Sequence, residues 1–350
     1  MKPKLMKKKN DPQLRRETGE AVYDGADFRT VTLLKNRFRI ESILAVGGFG
    51  VIYTGKDSRL YNKKILIKAN RYPRNLFKVQ RNKALTPQVE KLRFRLEFER
   101  KMLLQAANRG ISGTPVILDE IKDLGLDIYG PHKDRDGNHY HCTQKNSDGT
   151  ELWTQEPFLV LSYVNGSPLN QIINQNWFRK NILGNTKQVI LQIGRILKGF
   201  HLEKSVDKKR ISFVYQDLKP DNIMFTDEKN FVLIDFGGFA VRVDGKTLTR
   251  FAKTGTPGYQ PPEFADYAFA PEKIDPRADI FSLGATVYHL LTGKSPGADS
   301  QGRAVFDQNK LKTVQGQWKN WIVKAIAPKP DDRYPTMEAA IQDAHTLPMK

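Results

Sequence analysis

Apolar and polar residues alternate on both sides of a glycine cluster at 44–53, which reads L-A-V-G-G-F-G-V-I-Y. A period of two sends successive side chains to opposite faces of a strand, so this stretch predicts two strands joined by a tight glycine turn. Ile65-Leu66-Ile67 forms another strand-like run and ends in Lys68, while Phe231-Val232-Leu233-Ile234 ends in Asp235. From about Gln88 to Ala107 the period becomes helical, with Leu96, Met102, Leu103 and Ala106 at −3, +3, +4 and +7 from Glu99. Helical spacing returns over Asn185–Lys204, through Val189, Ile190, Ile193, Ile196, Leu197 and Phe200, and again over Asp279–Thr292. Strands and one long helix therefore come first, and a mainly helical remainder follows.

A segment of about 122–156 interrupts this order where a short hairpin would suffice. Its Asp136-Gly137 and Asp148-Gly149 pairs sit among β-prone residues and predict an elaborated hairpin. His132, His139, His141 and Cys142 fall there too, with none of the spacings of a zinc site.

Chemistry concentrates in two short motifs. D-L-K-P-D-N runs from Asp217 to Asn222, and D-F-G from Asp235 to Gly237. An acid and an amide five residues apart, with a second acid at a strand end, suit one base and two oxygen ligands around Mg²⁺. Phosphoryl transfer further needs a phosphate cover and an aimed cation. Gly47, Gly48 and Gly50 lack Cβ atoms and let backbone amides approach an anion. Lys68 supplies a point charge from a strand. Glu97 and Glu99 both could aim it, and the apolar spacing favours Glu99.

In this order the motifs resemble those of eukaryotic-like serine/threonine protein kinases over roughly residues 38–340. Taken alone the glycine turn is an ordinary hairpin; the joint order carries the resemblance. It implies an α+β, two-lobed fold: a small antiparallel-sheet N-lobe with one main helix, and a larger, mostly helical C-lobe. A basic N-terminal extension, 1–35, expected to be flexible, precedes a kinase domain over 36–350, with the N-lobe at about 36–162 and the C-lobe at about 166–350. The resemblance makes Asp217 the base, Lys219 a contact of the transferred phosphate, and Asn222 and Asp235 the ligands of Mg²⁺. Lys68 and Glu99 become the small-lobe ion pair. ATP would meet Leu44, Ala45, Val46, Gly47, Gly48, Phe49, Gly50, Ile52, Leu66, Lys68, Ser162, Val164 and Met224, with Leu161 as gatekeeper of a hinge at 161–165. Gly255–Glu263, G-T-P-G-Y-Q-P-P-E, matches the end of an activation segment; Thr256 would touch Asp217 and Lys219, Asp279 would anchor the catalytic loop, and Arg333 would pair with Glu263.

The departures are informative. Ala45 stands where the first glycine belongs and needs only φ below zero to fit; Leu66, where the family usually has alanine, narrows a nucleotide pocket, and flexible Met224 can absorb part of that change. Tyr215-Gln216-Asp217 replaces His-Arg-Asp, the non-RD pattern. A neutral glutamine cannot hold a phosphate as arginine does, so phosphorylation of the activation segment is not the expected on-switch. Thr247, Thr249 and Thr254 are nonetheless candidate autophosphorylation sites, and Tyr215 is expected to stack under Phe236.

With 350 residues, 39% of them hydrophobic, the chain can bury the core of one such unit. No apolar run reaches the roughly 18 residues of a spanning helix, and the N-terminus lacks a signal-peptide core. Cys142 is the single cysteine, which excludes an internal disulfide and fits a reducing cytoplasm. The net charge of +19, with Lys2, Lys4, Lys7, Lys8, Lys9, Arg15 and Arg16 against Asp11 in the first 16 residues, points to acidic partners. A protein substrate, acidic in character, and weak contact of the tail with a membrane surface are expected; the tail carries no interleaved aromatics, so no dedicated nucleic-acid ligand is. The reading is an ATP- and Mg²⁺-dependent protein kinase acting on serine/threonine hydroxyls, the alternative a pseudokinase or nucleotide-binding scaffold.

Overall fold

A computed structural model describes residues 33–35, 37–46, 50–70, 86–123, 132–133, 139–140, 156–248, 255–265, 270–314 and 316–349. The basic extension up to residue 32, Gly47–Phe49 where the glycine turn is expected, the Asp136-Gly137 and Asp148-Gly149 pairs, His141, Cys142, Thr249 and Thr254 lie outside the described residues. Two compact units divide the chain, one of residues 1–101 and 116–163, the other of 102–115 and 164–350.

The first unit is built on a six-stranded antiparallel sheet in the order β1-β2-β3-β4-β8-β5. Its strands are β1 (Leu33–Leu34), β2 (Phe38–Val46), β3 (Gly50–Asp57), β4 (Lys63–Asn70), β5 (Ile117–Asp123) and β8 (Glu156–Ser162). Alternation sorts the side chains: Ile65, Ile67 and Ala69 of β4 are buried with Phe38, Ile40, Val51, Tyr53, Phe158 and Val160 in one core. Lys68 and Leu66 point to the other face of β4 and are half-buried. The predicted long helix is α1 (Thr86–Asn108), with Leu92, Leu96, Met102, Leu103 and Ala106 buried. Near the other sheet edge Arg37 holds the fully buried Asp57 carboxylate in two hydrogen bonds of 2.9 and 2.7 Å and reaches Asp119 at 2.7 Å. That guanidinium keeps the Asp57 carboxyl below its ordinary range.

The 122–156 segment leaves and rejoins the sheet through the β5–β8 ladder, in which Lys122 pairs with Pro157 and Asp123 with Glu156. Within it β6 (His132–Lys133) and β7 (His139–Tyr140) pair antiparallel, while Asp136-Gly137 lies outside the described residues.

The second unit is mostly helical. Its short elements are β9 (Gly166–Pro168), α2 (Leu169–Ile172) and α3 (Asn176–Arg179). Helix α4 (Ile182–His201) buries Val189, Ile190, Ile193, Ile196, Leu197 and Phe200, as the periodicity predicts. It stops at His201 and not at Lys204, since Lys204–Val206 (β10) turns through Asp207 and Lys208, both at positive φ, into β11 (Lys209–Val214). Two consecutive positive φ values make the tight turn whose twist suits a hairpin. Strands β12 (Ile223–Thr226) and β13 (Phe231–Leu233) form a second ladder with β9, and β14 (Ala240–Val243) and β15 (Lys246–Thr247) join β10 and β11. Then follow α5 (Pro262–Ala265), α6 (Arg277–Thr292), the β16–β17 hairpin (Gly297–Ala298, Ala304–Val305), α7 (Gln308–Thr313), α8 (Gly316–Ala325) and α9 (Met337–His345). Helix α6 is apolar on nearly all sides and correspondingly buried from Ala278 to Tyr288.

Candidate active site

In the first unit the register collects most of the predicted residues on one sheet face. Ala45 pairs with Ile52, Ile52 with Lys68 and Lys68 with Leu159, while Leu66 pairs with Thr54 and Leu161. Cross-strand partners share a face, so Ala45, Ile52, Leu66 and Lys68 line one surface. Ala45 keeps a negative φ. A bulge between Ile43 and Ala45 leaves Leu44 46% exposed, and Val46 is 37% exposed at the strand end. Exposed apolar side chains beside a glycine turn are what a flat apolar ligand would cover. Gly50 has a packing reason besides: a Cβ there would lie 3.1 Å from Ala69 O. Ser162 ends β8, its hydroxyl accepting from Val116 N at 2.9 Å.

Lys68 Nζ donates to Glu99 Oε1 at 2.7 Å and lies 2.6 Å from Oε2. Glu97 instead takes Arg100, at 2.8 and 2.7 Å. Helical phase decides between the two: Glu99 is buried with Leu96, Met102 and Leu103, and Glu97 lies two residues round the helix.

The second unit holds the other set. Between β11 and β12 the chain makes the loop Tyr215–Lys219 and a 3₁₀ turn, Pro220–Asn222. Gln216 adopts φ of +70° and Asp235 of +66°, a region costly for any residue with a Cβ, and such strain persists only where the surroundings over-determine it. For the loop the surroundings are Asp279, wholly buried near the start of α6, whose carboxylate accepts from Tyr215 N and Gln216 N, each at 2.8 Å, and from His201 Nε2 at 2.8 Å. Tyr215 itself does more than its aromatic ring suggested. It meets Phe236 edge-on, at 70° and 6.3 Å, not stacked, and its hydroxyl lies 2.9 Å from both Ile234 O and Asp235 O. The phenol thereby fastens the backbone on which the Asp235 carboxylate is carried. Gln216 is buried, its side-chain amide 3.4 Å from Gly238 O.

A closed ring of bonds surrounds Asp217. Lys219 Nζ donates to Thr256 Oγ1 at 2.6 Å, Thr256 donates to Asp217 Oδ1 at 2.6 Å, and Lys219 returns to Asp217 Oδ2 at 3.1 Å. Asn222 Nδ2 donates to Asp217 O at 2.8 Å and to Oδ2 at 3.2 Å. With its amide nitrogen spent on Asp217, Asn222 presents oxygen as its remaining polar atom. Ile234 N donates to Asn222 O at 2.8 Å, which sets Asp235 beside Asn222 at the end of the β12–β13 ladder. An amide oxygen and a carboxylate are hard oxygen donors, the type that Mg²⁺ selects; the residues fit that ion. Met224 is half-buried in β12, opposite Val232, and Val164 is half-buried ahead of β9.

Beyond the ring, Gly258 has φ of +86° and a Cβ there would come within 2.9 Å of Pro296 O, so only glycine fits. Arg333 clamps Glu263 with two parallel bonds of 2.8 and 2.7 Å, both residues buried. Breaking such a pair on one side costs about 3–5 kcal/mol. Thr247 is corrected as a phosphorylation candidate: it is 2% exposed and its hydroxyl donates to Ile274 O at 2.6 Å, which leaves it no path to a donor.

A strained loop tied to a buried aspartate, Asp235 beside Asn222, and an Arg-Glu clamp thus make up the candidate site of the second unit. The model of the protein kinase domain matches residues 142–343, more than half of the chain. The chain belongs to the protein kinase domain family. It is 27% identical over 317 residues to a probable serine/threonine-protein kinase of Clostridium acetobutylicum, covering 87% of this chain and 38% of the relative. It is 24% identical over 312 residues to serine/threonine-protein kinase PknL of Mycobacterium tuberculosis, covering 86% and 63%. Serine/threonine-protein kinase B of Synechocystis sp. is 32% identical over 205 residues, 55% of this chain and 32% of the relative. The chain thus spans less than two thirds of the length of these relatives. Among the described residues no helix is long and apolar enough to cross a membrane.

Proposed function

We propose that the chain is an ATP- and Mg²⁺-dependent protein kinase that phosphorylates serine and threonine hydroxyls, and that it works in the cytoplasm. The observation that carries this reading is the Asp217–Thr256–Lys219 ring, with Asn222 fastened to the same aspartate. Asp217 is the base: as the acceptor oxygen attacks the γ-phosphorus, the hydroxyl proton passes to Asp217 and the bond to the leaving diphosphate breaks. Lys219 offsets the charge of the phosphoryl group in transfer, and Thr256 fixes the carboxylate by donating to one oxygen. Asn222 and Asp235 would hold Mg²⁺, which supplies neutralisation of the phosphate oxygens. Lys68, aimed by Glu99, pairs with the α/β-phosphates, and Leu44, Val46, Ile52 and Leu66 contribute apolar contact to the adenine. Protein substrates of acidic character fit the chain's +19 charge.

Labelled ATP and casein test it. Transfer should occur with the wild-type chain and fall to background with Asp217→Ala; equal label from both would remove the assignment. Leu66, a bulky side chain on the face that carries Lys68, favours a second reading, a nucleotide-binding scaffold with little turnover. A chain whose melting temperature rises with Mg-ATP but which transfers no label would support it.

A further inference from the structure

One sheet of the second unit has a face that the proposed chemistry leaves unused. Strands β10, β11, β14 and β15 pair in that order, and the register runs Lys204–Ile211–Val243–Lys246 in one row, with Val206–Lys209 in the next. Paired residues and alternate residues share a face, so these six side chains lie together. The reverse face is covered over its β14–β15 half, where Ser212 and Thr247 are buried and both Thr247 and Arg242 donate to Ile274 O, while Ser205 and Arg210 stay exposed at the other end. On the front, cover ends where Phe213 meets Phe200 of α4, ring centroids 6.2 Å apart. Beyond that point Val206 is 49% exposed, Ile211 and Val243 are half-buried, and all three lysines are exposed.

The charge on this face has one sign. Glu203 precedes Lys204, belongs by register to the reverse face, and pairs there with Arg210. Asp244 sits in the β14–β15 turn with its carboxylate on Arg210 N, and Asp207 sits in the β10–β11 turn. An apolar strip of Val206, Ile211 and Val243 bordered by three lysines that meet no carboxylate among the described residues is complementary to an extended segment whose apolar residues alternate with carboxylates.

We propose that this face docks an acidic, extended segment of a partner protein. Nucleic acid is a poorer match, because among the described residues the exposed part of this face carries no aromatic ring on which a base could stack, Phe213 being buried. A second copy is poorer still, since it would set lysine against lysine on chains of net charge +19. Strands β14 and β15 lie between Gly237 and Gly255 in the chain, so a docked partner sits on the strands that lead from the Asp235 motif to the Thr256 segment. Docking of this kind raises the local concentration of a tethered acceptor, and it is independent of whether the chain transfers phosphate.

Fluorescence anisotropy on the full chain, without nucleotide, tests it with a fluorescein-labelled peptide of alternating glutamate and valine. The triple variant K204E/K209E/K246E should bind at least roughly 10-fold more weakly than wild type, as loss of several exposed charge pairs implies. A charge-matched control at exposed sites elsewhere, K310E/K312E/K329E, should stay within about twofold, and a lysine-valine peptide should not bind. Equal loss in both triple variants, or no binding by wild type below about 1 mM, overturns the proposal. So does tighter, Lys204-dependent binding of an oligo-dT strand, or a dimer in sedimentation that the first triple variant dissolves.

Discussion

Lys68 and Asp217 are anchored in different ways. Lys68 is aimed side chain to side chain, from strand β4 to helix α1, through the Glu99 carboxylate. The Asp217 loop is fixed through its backbone: Asp279 accepts two of its amides from inside the core, Gln216 is held at +70°, and the loop's own side chains close a ring with Thr256. A contact made between the tips of two side chains can be lost by a small shift of one element while both stay folded. A contact made by a buried carboxylate to two amides cannot be lost without opening the loop. Lys68 is therefore the adjustable part of the candidate site and Asp217 the fixed part.

Five substitutions or conditions break or sharpen this contrast. Asp217→Asn keeps the size but cannot take a proton, so phosphate transfer should drop by about 10³-fold, while urea unfolding, with one acceptor of the half-exposed ring lost, should ease by only about 1 kcal/mol. Asp279→Asn replaces an acceptor of two amides by a group that must turn its NH₂ towards one of them; unfolding should become about 3 kcal/mol easier, and transfer should fall with it. Glu99→Gln should lower kcat/KM for ATP by about 10-fold, a loss of roughly 1.4 kcal/mol, while the melting temperature stays near wild type. An equal loss of stability in Glu99→Gln and Asp279→Asn would erase the distinction drawn above. Tyr215→Phe leaves two carbonyls without their donor and should cost about 1 kcal/mol in urea unfolding, together with weaker Mg²⁺ dependence through Asp235.

The smallest effect concerns pH. His289 Nδ1 lies 2.8 Å from the Tyr259 hydroxyl, and burial pushes the imidazole below its ordinary 6.5. Because the folded value is the lower one, the stability that neutral His289 contributes is complete above about 6.5 and is lost as pH falls through the folded value. The melting temperature should therefore decline between pH 7 and 5, and His289→Asn should flatten that part of the curve.

Much of the contrast could be read from the chain itself, for reasons that differ by residue. Glu99 could be told from Glu97 because burial follows helical phase, and Arg333 could be matched to Glu263 by resemblance alone. The Tyr215 hydroxyl could not be foreseen: a phenol advertises its ring, whereas its partners here are two carbonyls that exist only once Asp235 turns to positive φ. The β10–β11 hairpin was hidden as well. Lys204 falls four residues after Phe200, at helical spacing from the apolar face of α4, and the strand ends on Asp207-Lys208, a pair without the glycine that marks the Asp244-Gly245 turn between β14 and β15. The burial of Thr247 depends on Ile274, 27 residues away, and no local pattern carries that information.

Intact-mass spectrometry of the chain and of casein, after incubation with Mg-ATP, tests the central assignment of Asp217 most directly. Phosphate should be added to casein, or to the chain itself, by the wild-type protein and by Glu99→Gln more slowly, with no mass shift detectable for Asp217→Asn over the same incubation. Identical masses from wild type and Asp217→Asn would contradict it.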